Sequence, residues 1–283
     1  MKITPNIMCI VVTKMKMNKR NIVIFLMIPF TLMGCNKKDT QTRESEAPIE
    51  VDTTTPIDEV KEEDYKKIPS YIYSKLNEYN SFKAITSGQT VSTSIIKVTQ
   101  SISTLAIKSE YSYTKNESHS DIVDTVHEAY YKDSKAVYRD GESGDYSSSS
   151  IDDYLNVYGT YPFDTAIEGY LISEDCLVSV TKVSKEDSTY VFKAVFDNEK
   201  STSNVRIQMK KLGGLDDYPT FDLIEMNFQV NSDFTLQKID LHSKYKAKKV
   251  LTTNCEQTYT VIYSNYNENI EVPNLDSVKP LFD

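Results

Sequence analysis

The sequence predicts an α+β protein: one large, curved antiparallel β-sheet with about three short helices covering its concave face. Three observations lead there. Downstream of Gly88 apolar residues tend to recur at every second position, most clearly where Ile224, Met226, Phe228 and Val230 alternate with Glu225, Asn227 and Gln229. Alternation marks strands with one wet and one apolar face. The strand-like segments are separated by short polar turns, which join antiparallel neighbours. Helical texture is confined to a few short stretches. A sheet of about ten strands with one apolar side cannot stay flat, because twist curls it, so the apolar side becomes concave and the helices must cover it.

The elements follow in order. Ile68, Ile72, Leu76 and Tyr79 stand four, four and three apart, one face of a helix with Pro69 in its first turn. Residues 91–99, 102–113 and 121–131 are rich in Val, Ile, Thr, Ser and Tyr and read as strands. The run from Ala129 through Lys132–Lys135 to Tyr138 reads as a hairpin, and Asp140 to Ser150 as a loop. Ser150 is placed to cap a helix over 151–158, and Pro162 to open another over 163–171. Strands are expected at 178–183, 189–196 and 203–211, the first two joined by the polar turn Ser184–Ser188. Ile239, Leu241 and Tyr245 alternate after a turn at Asn231–Asp233, and Tyr259, Val261 and Tyr263 do so on a final strand.

Upstream the chain changes character twice. Residues 22–33 carry no charge, and Lys14, Lys16, Lys19 and Arg20 precede them. Twelve residues fit the roughly 7–15 of a signal-peptide core better than the roughly 20 of a membrane span. The run ends in Leu32-Met33-Gly34-Cys35, which resembles the lipobox of bacterial lipoproteins. That resemblance implies cleavage before Cys35, a diacylglycerol on its thiol, and a lipid-anchored protein on the extracytoplasmic face of the cell membrane. Residues 35–64 are dominated by Thr, Glu, Asp and Pro and contain no aromatic residue. Such a stretch cannot bury enough surface to offset its ordering entropy, so a disordered acidic tether is expected. The organisation is thus a leader over 1–34, a tether over 35–64 and one domain over 65–283.

Composition narrows the partners. The leader holds five basic residues and no acidic one, so its removal takes the net charge from −9 to −14. A body this acidic repels phosphate backbones, which excludes nucleic acid. There are twenty Tyr, all after residue 64, and no Trp. Tyr suits half-buried strand positions, and equally a surface or cavity that meets both water and apolar groups. Beyond Cys9 in the leader and Cys35, two cysteines remain, Cys176 and Cys255. In an exported chain they form either one disulfide or two inert buried thiols.

The element order over residues 65–273 resembles the LolA/LppX-like fold, an open half-barrel with helices in its mouth. Local echoes are Leu76 to Phe82 running into the first strand, and Tyr263-Ser-Asn-Tyr266-Asn followed by Val272-Pro273 closing the domain. The resemblance implies a hydrophobic cavity between sheet and helices that holds acyl chains, or a related domain that binds an envelope partner.

No chemistry is encoded at recognisable spacing. His119, His127 and His242 are not at metal-ligand spacing, and surface positions are expected for them. His127 and Glu128 are adjacent, so on a strand they face opposite sides. Ser94–Lys97 and Ser112–Lys115 match S-x-x-K but lie in strand-like sequence, where the two residues diverge. Asp140, Glu142 and Asp145 lack calcium-loop spacing. No catalytic residue, metal or cofactor is nominated. The expected function is non-enzymatic binding of an acyl chain or lipid by Met226, Phe228, Val230, Ile239, Leu241, Tyr245, Tyr259, Val261 and Tyr263. The alternative is an envelope protein-interaction or sensory module with a fully packed core, and cavity volume separates the two.

Overall fold

A computed structural model of the chain describes residues 56–283 apart from 96, 122 and 162–168. The leader, Cys35 and most of the expected tether lie outside the described residues, as does most of the expected 163–171 helix.

Eleven strands form one open antiparallel sheet: β1 (Phe82–Thr93), β2 (Lys97–Lys108), β3 (Ser112–Ser120), β4 (Asp124–Lys132), β5 (Lys135–Asp140), β6 (Ser147–Ser150), β7 (Leu177–Glu186), β8 (Thr189–Phe196), β9 (Thr220–Asn231), β10 (Leu236–Lys248) and β11 (Thr252–Ser264). Their order is β6-β5-β4-β3-β2-β1-β11-β10-β9-β8-β7. Each half of the chain is a meander, and the halves zip together where β1 pairs with β11, from Lys83 opposite Ser264 to Thr93 opposite Asn254. The result is the expected α+β half-barrel, open because β6 and β7 are unpaired edges. Both edges are blunted, β6 by four consecutive serines and β7 by the exposed run Lys182–Glu186.

Helix α1 (Ile68–Glu78) has Pro69 in its first turn, and buries Ile68, Ile72 and Leu76 in the core formed by β8–β11 and β1. Helix α2 (Ile151–Tyr158) is capped as expected: the Ser150 hydroxyl accepts from the Asp153 N–H at 3.1 Å. It ends at Gly159, which takes the left-handed conformation that glycine adopts without strain. Its Tyr154 and Tyr158 pack on Ala129 and Ala136 of β4 and β5. Helix α3 (Ser203–Gly213) adds Val205 and Met209 to the first core and Leu212 to the second. A third core lies on the opposite face. There the C-terminal tail, with helical turn α4 (Leu275–Val278), covers Ile107, Tyr113, Tyr130 and Val137 with Val272 and Val278.

Several expectations are corrected. Residues 203–211 form a helix, not a strand. Val205, Ile207 and Met209 alternate, but Val205, Met209 and Leu212 also fit a helical period, and Arg206, Gln208, Lys210 and Lys211 all favour helix. The first strands are shifted: the breaks between β1 and β2, β2 and β3, and β3 and β4 fall inside expected strands, because the connecting residues include Ile95, Tyr111 and Val123, which have the side-chain types of the strands they join. Part of the expected loop at 140–150 is β6. The hairpin at β4–β5 is tighter than expected. Lys132 pairs with Lys135 across Asp133 and Ser134, whose φ values of 48° and 65° suit a two-residue turn of the type I′ kind. The described end of the tether is ordered: the Ile57 side chain is buried, its N–H donates to the Ser232 carbonyl at 3.4 Å, and Asp58 pairs with Lys185 at 2.8 Å. Short 3₁₀ turns at Ile57–Glu59 and Glu62–Lys67 then lead into α1, with Tyr65 edge-on to Phe192.

Cys176 and Cys255 are both buried thiols, not joined in a disulfide. Cys176 precedes β7 at the sheet edge and Cys255 is on β11, four strands away. At about 4.8 Å per strand spacing that separation far exceeds the roughly 7 Å Cα limit for a disulfide.

Candidate functional site

The half-barrel's concave face is read best along one row of paired residues. From β8 to β5 the register runs Phe192–Phe228–Ile239–Val261–Thr86–Thr104–Asn116–His127–Asp140. Four apolar residues are followed by five polar ones, and the change falls at the seam between β11 and β1. All but Asp140 are buried.

The apolar half contains every residue nominated from the sequence. Met226, Phe228, Val230, Ile239, Leu241, Tyr245, Tyr259, Val261 and Tyr263 share the face and belong to one core cluster. Register explains the grouping: Leu241 pairs with both Met226 and Tyr259, and Ile239 with both Phe228 and Val261. Ile68, Ile72 and Leu76 of α1 join the same cluster. Burying each such aliphatic or aromatic side chain stabilises the fold by roughly 1.5–3 kcal/mol.

The polar half was not legible as a site. Thr86, Thr104, Thr114, Asn116, Ser118 and Gln100 are each no more than 5% exposed. Some are partnered: the Thr104 hydroxyl donates to Asn116 Oδ1 at 2.6 Å, and Gln100 Nε2 donates to Ser118 Oγ. At the seam Thr90 Oγ1 and the Tyr259 hydroxyl are 2.7 Å apart. Others have no partner among the described residues: Thr86 Oγ1, Thr114 Oγ1 and Gln100 Oε1 are buried without a hydrogen bond there. An unmade bond at a buried polar atom costs about 1–3 kcal/mol.

The row ends in an ionisable pair. His127 Nδ1 is 2.7 Å from Asp140 Oδ1, and Nε2 is 2.8 Å from the Tyr154 hydroxyl. The surface position expected for His127 is corrected: it is 7% exposed, stacked among Tyr138, Tyr154 and Tyr158 of β5 and α2. The preceding alternation could have placed it inside, since Ala129 two residues on is core.

On the other face of β4, Glu128 is 2% exposed. Its Oε1 accepts from the Tyr113 hydroxyl at 2.9 Å and lies 3.0 Å from that of Tyr130, while Oε2 accepts from Tyr146 at 2.8 Å and Arg139 Nε at 2.7 Å. Burial alone would raise its pKa; the three hydroxyls and the Arg139 charge outweigh it and hold the carboxyl below its ordinary value. Both oxygens are engaged, so the arrangement ties β3, β4 and β5 to the loop before β6. Among the described residues no three or more His, Cys, Asp or Glu gather as a metal site.

The same outer face carries a groove of about 550 Å³. Most of its lining residues are polar, Lys193, Glu225, Asp240 and His242 among them. Lys193 pairs with Glu225 at 2.7 Å, and Asp240 accepts from the Thr260 hydroxyl at 2.6 Å.

No protein-family model matches the chain, and no curated protein matches it. Among solved structures it is similar to a DUF1329 family protein from Desulfovibrio piger, at 9% identity and a TM-score of 0.28, over 78% of this chain and 99% of that one. It is similar to a LolA superfamily protein from Nitrosomonas europaea, at 12% identity and a TM-score of 0.24, over 71% and 90%. A hypothetical protein from Chlamydia trachomatis is similar at 7% identity and a TM-score of 0.25, over 66% and 92%.

Proposed function

We propose that the protein is a non-enzymatic binding protein of the cell envelope, anchored by a diacylglycerol on Cys35, whose concave face holds a ligand with one apolar and one polar part. The observation that carries this reading is the row in which Phe228, Ile239 and Val261 give way to Thr86, Thr104 and Asn116 beside unpartnered Thr86 Oγ1, Thr114 Oγ1 and Gln100 Oε1. A sheet face needed only for stability gains nothing from leaving buried polar atoms unmatched, since apolar replacements of the same shape are neutral or better. A bound molecule entering at the seam would take the place of part of the present cover of the aliphatic side and satisfy the polar one. The anchor rests on the basic region, uncharged run and Leu32–Cys35 of the sequence, and the acidic body makes nucleic acid an unsuitable partner.

The test is native mass spectrometry of the chain from Cys35 onward, produced in cells with Cys35→Ser, followed by organic extraction. A defined adduct that extracts as a lipid is the expected result. A clean unliganded mass, with no uptake of added lipid, overturns the reading. The anchor is tested separately, because Cys35→Ala should move the protein from the membrane fraction to the soluble one.

A second reading is favoured by the outer groove near Lys193, Glu225 and His242: an interaction module that meets an envelope protein on that face. Crosslinking in cells through a photoreactive residue at Asn227 would capture such a partner, whereas the binding reading expects none at that position.

A further inference from the structure

We infer that the polar part of the concave-face ligand is uncharged and rich in hydroxyl groups, as in an acylglycerol or a glycosylated lipid, and is not a phosphate, carboxylate or ammonium. This rests on the binding reading above and names the ligand class of that same site.

The argument is the charge inventory of the face. Across β1, β2 and β3 the inward positions that form the polar half are Thr86, Thr90, Gln100, Thr104, Thr114 and Asn116, all neutral. The one charged residue at an inward position of these strands, Lys108, is the last residue of β2; its Nζ donates to the Asn77 carbonyl at 3.3 Å and lies over the Phe82 ring. On the apolar side, β10 and β11 present no charge inward either, from Leu236 to Ala247 and from Thr253 to Tyr263. The nearest ionisable pair, His127 and Asp140, is closed on itself and on Tyr154. A charged head group drawn onto this part of the face would lose its hydration and meet no counter-charge on β1, β2, β3, β10 or β11 apart from the engaged Lys108, the case in which burial of an ion is most costly.

The unpartnered atoms point the same way. Gln100 Oε1 can only accept a hydrogen bond, while the Thr86 and Thr114 hydroxyls can accept or donate. A ligand hydroxyl serves both kinds of partner. A phosphate or carboxylate, able only to accept, would leave Gln100 Oε1 unmatched. An ammonium, able only to donate, would find no carboxylate at the inward positions of β1, β2 and β3.

Binding is compared by native mass spectrometry on the chain from Cys35 onward carrying Cys35→Ser, with four probes: monooleoylglycerol, dioleoyl-galactosylglycerol, oleate and dioleoyl-phosphatidylglycerol. At least one neutral lipid should bind ten-fold or more tightly than either anion, and which of the two binds better assigns a glycerol or a sugar head. Anions bound as tightly as neutral lipids overturn this inference and leave the binding reading standing. Uptake of none of the four overturns both. The variant Thr86→Val/Thr114→Val separates recognition from architecture. Recognition by these hydroxyls requires neutral-lipid affinity to fall about ten-fold with an unlowered Tm in the absence of lipid. A lowered Tm with the neutral preference intact means the hydroxyls are structural, and the inference fails.

Discussion

His127 and Glu128 are consecutive in the chain and lie in different cores of the molecule: His127 faces Asp140 and Tyr154 under α2, and Glu128 faces Tyr113, Tyr146 and Arg139 under the C-terminal tail. Strand alternation alone produces this. It makes β4 a strand that buries a polar group on each face: His127 takes one partner from β5 and one from α2, and Glu128 takes its partners from β3, β4, β5 and the loop before β6. Removing α2 therefore takes the Tyr154 partner from His127, while removing the tail uncovers the Glu128 cluster without breaking its hydrogen bonds.

Glu128 should make the fold acid-sensitive. Its folded pKa is held below the ordinary glutamate value, chiefly by tyrosine hydroxyls and Arg139 working against burial. A depressed folded pKa contributes stability that is complete above the unfolded value, about 4.3, and is lost as pH falls through the lower folded value. Urea unfolding between pH 6 and pH 3 should show this slope in the native chain and a flatter one in Glu128→Gln. Equal slopes would mean that other carboxylates govern the acid limb. Arg139→Ala should cost about 3 kcal/mol at pH 7, because it leaves a buried carboxylate without its counter-charge.

The C-terminal tail should be part of the stable domain. Val278 is fully buried against the core of Ile107, Tyr113, Tyr130 and Val137. Val278→Ala is expected to cost about 2 kcal/mol by denaturant unfolding, from lost transfer energy and an unfilled cavity. Val157→Ala, on the exposed side of α2, should change stability by under about 0.5 kcal/mol. Similar values for the two would contradict the packing of the tail.

The two thiols should be silent in the native state and should not bond. Both are buried, and burial pushes the Cys255 thiol above its ordinary pKa, with hydrogen bonds from Ser92 and Tyr245 opposing it in part. A chain from residue 56 onward, treated with a thiol-reactive dye, should give no fast reaction when folded and two equivalents when unfolded. Its Tm should be the same with and without reductant. A reductant-dependent Tm would require a bridge that the separation of β7 from β11 forbids.

What could be read in advance follows the strength of the local signal. The period-two run from Ile224 to Val230 and the four-four-three spacing from Ile68 to Tyr79 mark β9 and α1, because one face of each is uniformly apolar. The nine apolar residues of the concave face were identifiable for the same reason. The polar half was hidden: Thr86, Thr104 and Asn116 look like solvent-facing residues until register sets them opposite Val261. Helix α3 was hidden by its own alternation at Val205, Ile207 and Met209. The Glu128 cluster draws on residues from 113 to 146 on separate strands and a loop, and no local pattern encodes it.

Gly88 should be the least replaceable residue of the seam. It sits on β1 opposite Tyr259 of β11 and Ile102 of β2. A Cβ there would fall 2.2 Å from the Thr258 carbonyl oxygen and 2.3 Å from Cδ1 of the Tyr259 ring. The missing side chain lets that ring lie across β1 and brings its hydroxyl within 2.7 Å of Thr90 Oγ1. Gly88→Ala must therefore move backbone as well as a ring, and is expected to cost about 3 kcal/mol, the upper end for overpacking. Tyr259→Phe removes only the hydrogen bond to Thr90 and should cost about 1 kcal/mol. Adding Tyr259→Ala to Gly88→Ala should not recover the native stability, because the Thr258 carbonyl still obstructs the methyl group. Full recovery in the double variant would mean that the ring alone, and not the close approach of the two backbones, sets the curvature at the junction of the apolar and polar halves.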